Sequence, residues 1–135
     1  MARRKIDLLL RAGARVTVNA PELDNELAVL VERKQLIWIA DTFKPDLLDA
    51  ALLVIAATND VAVNAEVARL CKTRLKLCNV VDDRNASGFI MPAIVDRSPI
   101  QIAISSGGKS PVLATRIRQQ LEVSLSKQLG QLANW

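Results

Sequence analysis

The chain has 135 residues, half of them hydrophobic and 24% charged, which points to one folded domain with a real core rather than a disordered segment. Aromatic residues make up only 3%, histidine is absent and the net charge is +4. That balance excludes imidazole-based catalysis and imidazole metal sites, and it offers neither the basic runs nor the stacking platforms of a nucleic-acid binder.

Ala2 to Arg11 reads as a helix with Ile6, Leu9 and Leu10 on one face, and Gly13 falls where a C-terminal cap belongs. Arg15 to Asn19 is a short β-branched strand; Pro21 and Glu22 then lead into a helix reaching Arg33. Leu36 to Ile39 is the next strand, and Pro45 to Leu48 forms one helical turn. Leu52 to Ala56 is a continuous apolar run of the kind that fills a strand covered on both faces. Thr58, Asn59 and Asp60 make a turn with a helix cap, the helix runs to about Lys72, and Leu75 to Asn79 is a strand that exits through Val80, Val81 and Asp82.

The pattern then changes. Phe89 to Val95 and Ile100 to Ile104 are two strands separated only by Asp96 to Pro99, too short for a crossover helix, so they should form an antiparallel hairpin. Ser105 to Gly108 breaks the chain, and Ser110 with Pro111 opens a long helix to about Lys127. Cys71 and Cys78 lack the spacing of a metal or redox motif and read as reduced core thiols in a cytoplasmic setting. No secretory leader and no bilayer-length apolar run is expected, so no membrane partner is either.

Alternating strands and helices imply an α/β fold: a Rossmann-like, mostly parallel sheet with right-handed crossovers. The chain opens on a helix, where such a unit first places an apolar strand and a G-x-G-x-x-G/A turn. Both are missing from the sequence, and the absent strand is a central one, so its neighbours are expected to keep unpaired backbone groups.

Strand exits are where open α/β sheets bind ligands. At the first exit, two readings stand for Glu22: a carboxylate for a dinucleotide ribose, or an acidic residue in the first turn of a helix. At the second, Thr58 can bond to a ligand that the small Ala56 and Ala57 let approach, while Asp60 fits capping. At the third, Asp82 reads either as a general base or metal-facing carboxylate or as a solvated turn residue. Ser105 to Ser110 has the look of a phosphate loop without its spacing, and its glycines equally serve to turn a strand into a helix.

Taken together, Ala12 to Val18, Ile55 to Thr58, Asn79-Val-Val-Asp82, Phe89 to Pro92, Asp96 to Pro99, and Ser105 to Gly108 with Ser110 to Ala114 resemble the precorrin-2 dehydrogenase and sirohydrochlorin ferrochelatase domain of siroheme synthases. The resemblance implies NAD-dependent oxidation of precorrin-2 to sirohydrochlorin, then insertion of ferrous iron, itself a substrate, to give siroheme. It implies that Asp82 serves both steps, that Pro21 and Glu22 contact NAD, that Thr58 lies beside the cofactor, and that Ser106 is a possible phosphorylation position. A polycarboxylate tetrapyrrole would give the basic excess a purpose.

The same resemblance divides the chain into a truncated NAD-binding Rossmann-like domain, residues 1–87, and a hairpin with a helix that begins a dimerisation region, residues 88–135. A homodimer is therefore expected. Against the resemblance stand two alternatives: a non-catalytic dinucleotide or tetrapyrrole binding module, and an inactive fragment of the enzyme. Both arise from the missing glycine turn, without which NAD affinity should fall.

Overall fold

A computed structural model describes residues 2–133. The chain forms two compact units, Met1–Gly88 and Phe89–Trp135, each with its own architecture.

In the first unit, helix α1 (Ala2–Arg11) is followed by strand β1 (Thr17–Asn19), helix α2 (Asn25–Glu32), strand β2 (Ile37–Ile39) and a 3-10 turn at Pro45–Leu48. Strand β3 (Leu53–Ala56), helix α3 (Val61–Thr73) and strand β4 (Leu77–Val80) complete it. The parallel pairing expected of strand–helix–strand units is present. β1 lies parallel to β2 with Thr17 opposite Ile37, and β3 parallel to β4 with Leu53 opposite Leu77 and Ala56 opposite Val80. These are two separate two-stranded ladders. Among the described residues, no strand pairs with the second edge of β1 or of β3, the two edges between which a Rossmann sheet places its first strand.

Each ladder has its own core. Ile6, Val16, Leu27 and Leu36 bury one, with Leu9 and Leu10 of α1 packed against it as the helical spacing predicts. Leu48, Ala56, Val67, Cys71, Cys78 and Val80 bury the other. The apolar run ahead of β3 is less covered than expected: Leu52 is 83% exposed, and only Ala56 of the strand is buried. A strand with one neighbour and one packed helix cannot hide both faces along its length.

Helix ends depart from the sequence reading in two informative places. Helix α2 begins at Asn25, with Asp24 as its cap accepting the Leu27 N–H at 2.8 Å, so Pro21 and Glu22 stand in the loop before it. Strand β4 begins at Leu77 rather than Leu75, because Leu75 (φ 54) is the left-handed residue that closes α3. Its N–H bonds the Lys72 carbonyl while the Lys76 N–H bonds that of Cys71, the paired closure of a Schellman motif.

In the second unit, β5 (Ala93–Arg97) and β6 (Ile100–Ile104) form the expected antiparallel hairpin, with Arg97 opposite Ile100 across the cis Ser98–Pro99 bond. The strand starts four residues later than the apolar pattern suggests and keeps Asp96 and Arg97 in the ladder; Pro92, with no N–H to donate, stands just outside it. Helix α4 (Pro111–Ser124) is capped by Ser110, whose hydroxyl accepts the Leu113 N–H. It ends before Lys127: Leu125 leaves the helical backbone, and the Arg97 guanidinium donates to the carbonyls of Glu122 and Leu125. A short helix α5 (Leu129–Leu132) follows, unforeseen in the sequence. Among the described residues no helix is long and apolar enough to cross a membrane.

Candidate functional site

The register of β3 and β4 decides which residues meet. Ala56 is opposite Val80, and the Val81 N–H donates to the Ala56 carbonyl at 2.9 Å, so the ladder closes there. Thr58 and Asp82 each lie two residues beyond that last pair. They therefore leave the sheet side by side at its carboxyl end, where open α/β sheets place ligands and reactive groups.

Asp82 is exposed and left-handed, with φ 61. It occupies the third position of a turn closed by the Asp83 N–H on the Val80 carbonyl at 3.2 Å. That position needs a positive φ, which glycine, asparagine and aspartate tolerate best. Backbone strain of this kind gathers at working sites because the surroundings must hold it in place. Here the holding group is Ser87. Its hydroxyl accepts the Val80 N–H at 2.9 Å and donates to the Asp83 carbonyl at 2.6 Å, bridging the two ends of the turn. The loop then lies along the outer edge of β4, with the Gly88 N–H on the Cys78 carbonyl at 2.7 Å.

Thr58 is held from helix α3. Asn64 is buried in the first turns of that helix and grips the Thr58 backbone from both sides. Its Oδ1 accepts the Thr58 N–H at 3.2 Å, and its Nδ2 donates to the Thr58 carbonyl at 3.0 Å. The Thr58 hydroxyl is also engaged: it donates to Asn64 Oδ1 at 2.8 Å and accepts the Asp60 N–H at 3.1 Å. Thr58 thus offers a ligand its surface at the strand end more than its hydroxyl. Asp60 caps α3 by accepting the Ala62 and Val63 N–H groups, as the sequence indicates.

Pro21 and Glu22 lie at the exit of β1, in the other ladder, and both are exposed. Because α2 starts only at Asn25, Glu22 is not a first-turn helix carboxylate. That exit is tied to the exit of β2: the Asn19 side chain donates to the Asp41 carbonyl at 2.8 Å, and the Trp38 indole N–H to the Ala20 carbonyl at 2.9 Å.

Ser106 belongs to the second unit, half-buried before α4. Its hydroxyl accepts the Ser110 N–H at 2.9 Å, and Gly107 and Gly108 beside it are both left-handed. The segment is a turn built to start a helix, in line with the structural reading of its glycines.

Cys71 and Cys78 are free and buried in the same core. Burial raises the Cys71 thiol above its ordinary value and pushes that of Cys78 up to about 12, so both stay protonated and unreactive at neutral pH. Among the described residues no cluster of three or more His, Cys, Asp or Glu can hold a metal ion.

Sequence reasoning missed Asn64 and Ser87. Asn64 has a trace in the sequence: it shares its helix stripe with the buried Val67 and Cys71, a polar residue in an apolar row. Ser87, in an irregular loop, has none.

Residues 1–93 match the family described as "Putative NAD(P)-binding", and residues 97–124 match one described as "Sirohaem biosynthesis protein central". The chain is 47% identical over 134 residues to a siroheme synthase of Mannheimia succiniciproducens, covering 99% of this chain and 28% of the relative. It is 53% identical over 133 residues to siroheme synthase 2 of Yersinia enterocolitica, with 98% and 28% covered. It thus spans little more than a quarter of the length of these curated relatives. Among solved structures, "SirC, precorrin-2 dehydrogenase" superposes with a TM-score of 0.81 at 28% identity, over 97% of this chain and 64% of that one.

Proposed function

The chain belongs to the NAD(P)-binding family, and from that premise we propose that it carries the NAD-dependent oxidation of precorrin-2 to sirohydrochlorin and the insertion of ferrous iron that yields siroheme. The observation that carries the reading is the exposed Asp82 carboxylate, set at a positive φ beside Thr58 at the closed end of the β3–β4 ladder. The relatives and the superposed structure support it through their names.

The residues present fit a dinucleotide in part. Glu22 stands free of any helix at the exit of β1, placed for ribose hydroxyls, with Pro21 beside it. The small Ala56 and Ala57 leave room for a ligand in front of Thr58. NAD, when bound, would supply the acceptor for the hydride that the macrocycle loses. Asp82 takes the proton that leaves with it, so the substrate loses two hydrogens in all. In the second step Asp82 removes the pyrrole N–H protons as ferrous iron enters, and the macrocycle nitrogens become the ligands. Iron passes through as a substrate.

Asp82→Asn in the full-length protein tests this. Asparagine tolerates the left-handed turn, so the fold is retained while the base is lost. Turnover of precorrin-2 and iron insertion should both fall by about 10²–10⁴-fold. Undiminished turnover by a folded Asp82→Asn protein overturns the proposal.

A second reading is favoured by one observation: the Thr58 hydroxyl is already engaged by Asn64 and Asp60 and is not free for a cofactor. The chain would then bind a dinucleotide or tetrapyrrole without turning it over, or act as an inactive fragment. Absorbance on mixing with precorrin-2 and NAD separates the readings, since only the enzyme changes the chromophore.

The remaining expectations belong to the same proposal. The protein is cytoplasmic, and it works as a homodimer through the second unit, where α4 exposes Val112 and Val123 (78% and 89%). Ser106 is its modification position, and a phosphate there would sit before the N–H groups of α4.

A further inference from the structure

We propose that Ser87 is a positioning residue for Asp82: its hydroxyl holds the Val80–Asp83 turn and thereby sets where the carboxylate stands. The inference rests on the reading of Asp82 as the working base.

Four observations carry it. The Asp82 backbone is in the left-handed region (φ 61), which aspartate tolerates better than most residues but at a cost that the surrounding turn must offset. The turn around it has one backbone hydrogen bond, Asp83 N–H to the Val80 carbonyl at 3.2 Å. Ser87 adds the other ties, accepting from Val80 N–H at 2.9 Å and donating to the Asp83 carbonyl at 2.6 Å. Ser87 is itself placed by the Arg84 carbonyl, which accepts its N–H at 3.2 Å, and by the next residue, whose N–H bonds the Cys78 carbonyl.

Removing the hydroxyl leaves the Val80 N–H and the Asp83 carbonyl without that partner at once. The turn has then lost what holds its ends together, and Asp82 is free to relax toward an ordinary negative φ. That rotation swings the carboxylate, and displacements of about 1 Å cost up to about a hundredfold in rate. The Ser87 hydroxyl bonds Val80 and Asp83, whereas the Thr58 exit is held by Asn64. The two hooks therefore act on different properties: Ser87 on the placement of the base, Asn64 on the surface beside the cofactor.

The test uses the full-length protein and compares Ser87→Ala, Ser87→Thr and Asn64→Ala. Each is measured for kcat with precorrin-2, KM for NAD, iron insertion into sirohydrochlorin, and melting temperature. Ser87→Ala should lower kcat and iron insertion by about tenfold or more with KM for NAD unchanged. Ser87→Thr, which keeps a hydroxyl, should restore most of both. Asn64→Ala should instead raise KM for NAD.

A folded Ser87→Ala protein with wild-type kcat overturns the proposal. So does an identical split between kcat and KM in Ser87→Ala and Asn64→Ala, which would mark a general loss of structure. If Ser87→Ala does not fold, Ser87→Cys, with its weaker donor, is read by the same split. Asp82→Asn separates the two layers. If it retains turnover, the base assignment fails and Ser87 falls with it; if it is inactive while Ser87→Ala is unimpaired, the positioning role alone is removed.

Discussion

Among the described residues of the first unit, three non-glycine residues carry a positive φ: Lys34 at 57, Leu75 at 54 and Asp82 at 61. Two of them do a glycine's job. Helices α1, α2 and α3 end in the same pair of backbone hydrogen bonds, closed by Gly13, Lys34 and Leu75 in turn. Only Gly13 suits the position sterically, and Leu75 adds an apolar side chain that is 93% exposed. Leu75→Gly should therefore stabilise the protein by about 1 kcal/mol, read as a higher denaturation midpoint at unchanged slope. Asp82 differs from these two because a glycine there would keep the turn and lose the carboxylate.

Among the elements, side chains rather than ladders do much of the joining. Asn64 ties α3 to the end of β3, Ser87 ties a loop to the end of β4, and Arg97 ties the β5–β6 hairpin to the last carbonyls of α4. The contact of α5 with the hairpin is steric. A Cβ on Gly130 would lie 2.1 Å from the Ser98 carbonyl oxygen and 2.3 Å from that of Arg97, both backbone atoms that cannot swing aside. Gly130→Ala should destabilise the second unit by about 1–3 kcal/mol and release α5, which thermal melts and amide exchange over residues 129–132 would register.

Taken whole, the described residues of the first unit form two ladders and two cores with no strand joining them. The inner edges of β1 and β3 thus keep backbone groups that ladder bonds do not satisfy. A chain carrying an apolar strand and a glycine-rich turn ahead of Ala2 gains a partner for both edges and a cradle for the pyrophosphate. Such a chain should melt at a higher temperature and bind NAD more tightly than these 135 residues, by titration of the two side by side. Equal affinity would show that the turn contributes nothing to binding here.

What the sequence determined by itself is local. The helical stripe of Ile6, Leu9 and Leu10, the caps at Asp60 and Ser110, the cap glycine at Gly13 and the hairpin signalled by a short link are all set by residues a few positions apart. Asp82 stood out for the same reason, as a carboxylate at the end of a strand. The tertiary structure decided the rest. It paired Ala56 with Val80 and so brought Thr58 and Asp82 to adjacent exits; it moved the start of β5 beyond Pro92, and it placed Leu75 in a helix cap rather than a strand. It also supplied Asn64 and Ser87, whose roles are pairs of hydrogen bonds from a side chain to the backbone of a neighbouring strand end or turn. Such bonds have no period and no composition, so they exist only once the chain has folded around them.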